Sequence, residues 1–173
     1  MSTPYKNFII TEKQLLILSF LLYLSLLLGF LFGEDSTGGA FLDYKNQKNI
    51  VNLFTINFTD TLLNYDNYNT RHSPVLLIIL FFFESLKFSD SVIRLIYLHF
   101  NLILPFLFYS ILKIKFKTCE HLNVLCFLLI GILFISPTFR SLSIWPDSRL
   151  VGLTFFVLSI YFYLIFFEKK EQI

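Results

Sequence analysis

The chain has 173 residues, of which 55% are hydrophobic and only 15% charged, with 23 Phe and 9 Tyr, and its mean hydropathy is +0.68. Soluble domains are about a quarter charged, so this deficit, together with long apolar runs, places the chain among membrane proteins and excludes a disordered one. A net charge of +2 from 14 thinly spread Lys and Arg excludes a surface that wraps nucleic acid.

The first apolar run, residues 15–32, is long enough to cross a hydrocarbon core about 30 Å thick. A cleavable signal peptide is its rival reading, but the apolar core is long and no small-residue cleavage site follows. Next comes Gly33-Glu34-Asp35-Ser36-Thr37-Gly38-Gly39-Ala40-Phe41-Leu42-Asp43-Tyr44. Adjacent carboxylates beside flexible backbone at a membrane exit suit a base that takes a proton from a hydroxyl, or a cation site; a solvated helix end explains them as well.

Residues 47–63 place Val51, Phe54, Phe58 and Leu62 on one helical stripe, with Asn52, Thr55, Thr59 and Asp60 on other faces. The segment is too polar to span and predicts a helix lying on the membrane surface. An Asn- and Tyr-rich turn leads to Thr70-Arg71-His72-Ser73-Pro74 and a second interfacial helix over 74–87. Its apolar run, 75–83, covers under half the hydrocarbon thickness at about 1.5 Å per residue. Arg71 and His72 at its N-terminus are candidates for binding a phosphate, and anchoring to lipid headgroups accounts for them equally.

The second span is expected over 92–112 and carries Arg94, His99, Asn101 and Pro105. An arginine at that depth is paired, used, or snorkelling to the interface. After Lys113-Ile114-Lys115-Phe116-Lys117, a third span is expected over 118–136 and a fourth over 150–167. Cys119 and Cys126 read as packing residues, and no metal site is indicated. The segment 137–149 between these spans holds Arg140, Trp145, Asp147 and Arg149; Trp145 reads as an interface anchor.

Four spans put the N-terminus, the Lys113–Lys117 turn and the Lys169-Lys170 tail on one side, all basic, which makes that side cytoplasmic. Counting 75–83 as a fifth span would move the later basic segments outside. With four, the outer loops 33–91 and 137–149 hold eight of the twelve acidic residues. The expectation is therefore an all-α, multi-pass integral membrane protein forming a single membrane domain over 1–173. Four spans cross a bacterial inner membrane, both termini are cytoplasmic, and two interfacial helices lie in the first outer loop. Acidic groups sharing one face with Arg71, His72, Arg94, Arg140 and Arg149 suit a lipid-linked anionic substrate better than an ion pore.

Together these residues resemble the membrane-embedded C-type glycosyltransferases that use polyprenyl-phosphate sugars, the group of protein O-mannosyltransferases and the lipid A aminoarabinose transferase. Glu34-Asp35 matches the family's acidic pair in reversed order, and His72-Ser73-Pro74-Val75-Leu76 is similar to its His-Pro helix opening. Phe88-Ser89-Asp90-Ser91 with Arg94-Leu95 resembles the start of its second span. Ser136-Pro137, Arg140, Asp147 and Leu150 follow the order found after its third. The resemblance implies transfer of a sugar from a polyprenyl phosphate to an acceptor at the outer face, by single displacement with inversion. Asp35, or else Glu34 or Asp43, would be the base, and Asp147 the second acidic group. Arg94, Arg140 and His72 would hold the phosphate. The donor is a substrate rather than a cofactor, and a divalent metal stays open. The family's members are longer, so a fragment or a subunit is expected. The alternatives are a non-enzymatic membrane scaffold or accessory subunit, and a transporter fragment.

Overall fold

The computed structural model describes residues 11–68, 70, 73–119 and 121–171. Arg71 and His72, two of the expected phosphate ligands, lie outside the described residues. Among those described, the secondary structure is helical: α1 Glu12–Leu31, α2 Ala40–Ile56, α3 Phe58–Leu63, a 3₁₀ turn Tyr65–Tyr68, α4 Val75–Ser85, α5 Asp90–Asn101, α6 Ile103–Lys115, α7 Leu122–Ile135, α8 Pro137–Ile144 and α9 Ser148–Glu171.

Three helical stretches are long and apolar enough to cross a membrane: Glu12–Leu31, Asp90–Lys115 and Ser148–Glu168. A fourth results if α7 and α8, which meet at 64°, count as one bent span. Large apolar side chains cover the outside of these helices; Leu16, Phe106 and Phe166 are 71%, 72% and 65% exposed. So much contiguous apolar surface is what a lipid-facing helix presents and a water-facing one avoids.

Local chemistry sets the ends of the first span. Thr11 and Gln14 form a reciprocal capping box at the start of α1. At its other end Gly33, at φ 64°, takes the left-handed conformation that lets the chain leave the helix.

The helix expected over 47–63 in fact begins at Ala40, so Asp43 sits in its first turn, and it breaks at Asn57. There the backbone is extended, and the Asn57 side chain accepts a hydrogen bond from the Asp60 amide. Asparagine competes with the helix in this way and caps a new one. The expected stripe therefore ends early. Tyr44, Gln47, Val51 and Phe54 are buried, whereas Phe58 and Leu62 are exposed. The buried face of α2 packs on α4, which contributes Leu76, Leu77 and Leu80.

The stretch expected as one second span divides at Leu102 into α5 and α6. Pro105 has no amide hydrogen to return to the Asn101 carbonyl, which loosens the helix at that turn. The third span is shorter than expected, since α7 begins at Leu122 rather than near 118. It ends at Ser136, held extended at ψ 120° before Pro137, and Pro137 then opens α8. Segment 137–149, expected as an outer loop, is thus mostly helix. It is also the centre of the molecule: residues 141–147 are all buried, and α8 touches α1, α2, α5, α7 and α9.

Candidate functional site

The polar residues of the chain gather around α8, at the end of the bundle where α1 finishes and α5 and α9 begin. Four separated stretches supply them: 34–48, 84–97, 140–141 and 145–149. Burial of α8 forces this, because every charged group drawn toward it needs a partner.

Glu34 is held by Arg140 through Nε to Oε1 at 2.7 Å and Nη2 to Oε2 at 2.5 Å. Arg140 also donates to the Ser25 hydroxyl and to the carbonyls of Ser25 and Phe134. The guanidinium so placed holds the Glu34 carboxyl below the usual carboxylate range, outweighing the opposing effect of burial; Ser36 adds a further hydrogen bond. Asp35 points elsewhere. Its Oδ1 accepts from the amides of Gly39 at 3.3 Å and Ala40 at 3.0 Å, and its Oδ2 from Phe41 at 3.4 Å. It therefore satisfies the free amides that open α2, where a negative charge also suits the helix dipole.

Asp147 is 1% exposed. Its carboxylate accepts from the Arg149 amide at 2.7 Å and from Arg149 Nε at 2.9 Å and Nη2 at 2.7 Å. The backbone of Asp147 exchanges two hydrogen bonds with the buried Tyr97 hydroxyl. Arg149 reaches on to Asp43 Oδ2 at 2.9 Å, joining the starts of α2 and α9.

Trp145, expected as an interface anchor, is instead 7% exposed, and its Nε1 donates to the Glu34 carbonyl at 3.0 Å. Phe41 and Tyr44 pack on it from α2. On it lies the Arg94 guanidinium, 3.5 Å from the ring centroid, with Phe30 at 5.1 Å. Arg94 Nε donates to the Ile144 carbonyl at 3.2 Å, but its buried Nη2 has no partner. Among the described residues Arg94 makes no ion pair, in contrast to Arg140 and Arg149.

Beside it, the Tyr44 hydroxyl donates to Asp90 Oδ1 at 2.5 Å, and Lys48 joins Asp90 at 3.4 Å and also Glu84. Burial, then the neighbouring Asp90, push the Tyr44 phenol up. The sequence reading does not include Tyr44, Lys48 and Glu84 among the site residues. The signal is the i, i+4 spacing of Tyr44 and Lys48, and a helix read from Gln47 starts too late to include Tyr44.

The structure thus brings Glu34, Asp35, Asp43, Arg94, Arg140, Asp147 and Arg149 into one layer, with Glu34, Asp43 and Asp147 held in ion pairs and Arg94 without a carboxylate partner among the described residues. Among the described residues no group of three His, Cys, Asp or Glu side chains is placed to hold a metal ion. No protein-family model, curated protein or solved structure matches the chain.

Proposed function

We infer that the chain is a membrane-embedded glycosyl-transfer module that takes its sugar from a polyprenyl phosphate and passes it to a hydroxyl acceptor on the outer face. The observation that carries this reading is Arg94, a guanidinium stacked on Trp145 with a buried Nη2 that has no partner. Such a group is costly in an apolar setting unless an anion completes it. Arg140 and Arg149 have their carboxylates, so among the described arginines Arg94 is the one left for a phosphate.

In this reading four spans cross the membrane with both termini cytoplasmic. The polar layer around α8 faces outward, and α2 and α4 lie in the interface. The basic Lys113, Lys115 and Lys117 stand at the opposite end. In the reaction the bond between the sugar anomeric carbon and the phosphate oxygen breaks, and the phosphate leaves with the electron pair toward Arg94. The acceptor oxygen bonds to the same carbon from the other face, and its proton passes to a carboxylate. Asp35 suits that role best, since Oδ2 is engaged only by the 3.4 Å contact from Phe41 and the helix amides fix its position. Asp43, tied to Arg149, is the second choice. Arg140 holds Glu34, and Arg149 holds Asp147, so these pairs shape the site.

A second reading, a non-enzymatic accessory subunit, is favoured by that same pairing of Glu34 and Asp147. Donor binding separates the two. Trp145 is the sole tryptophan and touches Arg94, so its emission reports the site directly. The purified chain is titrated with a short polyprenyl phosphate and with the neutral polyprenol. The expected result is a saturable change with the phosphate alone, lost in Arg94→Ala, and sugar transfer in membranes that is abolished by Asp35→Asn. Identical responses to phosphate and alcohol would sink the transferase reading in favour of the accessory one.

A further inference from the structure

At the opposite end of the bundle from the polar layer lies a groove of about 450 Å³, walled by α1 and α6 and floored by α7. At its Tyr23 end the Tyr23 hydroxyl meets His99 Nε2 at 2.9 Å, while His99 Nδ1 donates to the Leu95 carbonyl. From α6, Pro105 and Phe106 line the gap together with Leu16, Phe127 and Ile130. The groove runs along α1 from Tyr23 to Glu12, eleven residues or about 16 Å of helix. That is close to the thickness of one leaflet, half of about 30 Å.

The other end of the groove is polar. Glu12 lines it and makes no ion pair among the described residues. Tyr109 also lines it, hydrogen-bonded to Asn123 at 3.4 Å, and Lys113 lies over the Tyr109 ring at 5.0 Å from the centroid. An apolar slot one leaflet long, with a carboxylate lining its polar end and an ammonium beside it, neither ion-paired among the described residues, complements a lipid whose headgroup carries a phosphate and a primary amine.

We propose that this groove is a binding site for one acyl chain of a phosphatidylethanolamine-type phospholipid from the leaflet at the α1 N-terminus, with Glu12 receiving the headgroup ammonium and Lys113 the phosphate. A quaternary ammonium cannot donate hydrogen bonds to Glu12, and an uncharged glycerol headgroup leaves Glu12 unpaired. The site is separate from the phosphate site inferred at Arg94 and does not depend on it.

The test uses the full chain with a Phe127→Trp reporter on the groove floor, in nanodiscs containing small equal fractions of phosphatidylethanolamine, phosphatidylcholine or phosphatidylglycerol with brominated acyl chains. The contribution of Trp145 is subtracted with the chain lacking the reporter. Phosphatidylethanolamine is expected to quench several-fold more effectively than the other two, and Glu12→Gln or Lys113→Gln to abolish the difference. Mass spectrometry of lipids retained by the unsubstituted chain, expected to be enriched in phosphatidylethanolamine over the host membrane, gives a readout independent of any variant. Equal quenching by all three lipids would mean unselective boundary lipid, and stronger quenching by phosphatidylglycerol would mean a cation acting alone. No quenching would mean that the groove is filled by protein. Each of these outcomes overturns the proposal.

Discussion

Arg140 grips Glu34 with two parallel hydrogen bonds across 106 residues of chain, Nε to Oε1 and Nη2 to Oε2. The fork fastens the end of α1 to α8, and α8 in turn positions Trp145 and Asp147. A bidentate guanidinium pair of this kind, partly shielded from water, is a structural clamp rather than a surface ornament. Glu34→Gln and Arg140→Met are each expected to destabilise the fold by about 2–4 kcal/mol. The double variant should cost clearly less than the sum. Reversible unfolding in mixed micelles measures both, and additive losses would deny the clamp.

Gly29 is what lets the clamp lie flat against α1. A methyl group there would overlap Glu34 Oε2 and stand 3.0 Å from Arg140 Nη2 and 3.2 Å from Ile144 Cδ1. Gly29→Ala should therefore cost about 1–3 kcal/mol, even though alanine is the better helix former. In a Glu34→Ala background the cost should shrink, because the first obstacle has been removed.

Acid should undo the same contact. Arg140 depresses the folded-state value of Glu34, so the stabilisation is complete above the unfolded carboxylate value of about 4.3. It is then lost as pH falls through the lower folded value. Unfolding followed from neutral pH to about 3 should show a loss in the unsubstituted chain that is shallower in Glu34→Gln. Equal slopes would show that other carboxylates govern the acid limb.

Arg94→Lys keeps the charge but gives up the flat contact with Trp145. A stability loss of about 0.5–2 kcal/mol is expected, together with a shift of Trp145 emission in the absence of any ligand. Arg94→Ala should shift the emission further. Unchanged emission in both would mean that the guanidinium does not rest on the ring in solution.

The long apolar helices were legible because twenty-residue hydrophobic runs have few alternatives. The layer's members were legible too, since charged residues are rare in this chain and nearly all the rest sit at helix ends. What escaped was pairing. Nothing local to Glu34 announces Arg140, and nothing near Arg94 announces Trp145, because these contacts depend on where α8 lies. Its direction follows from the bend at Ser136-Pro137, a dipeptide that the sequence presents as a plain end of helix. The break at Asn57 was hidden for a similar reason. The apolar spacing runs straight across it, and only the asparagine's ability to cap a helix argued otherwise.

The 64° turn between α7 and α8 has a bearing on depth. Fourteen residues of α7 rise about 21 Å, well short of a hydrocarbon core of about 30 Å. With its Leu122 end at one membrane boundary, the Ser136 end would stop several ångströms short of the other, which sets the floor of the polar layer below the level of the surrounding headgroups. In the transfer reading proposed above, a long-chain lipid phosphate would then reach Arg94 by sliding sideways within its own leaflet, and the acceptor would have to come down to meet it.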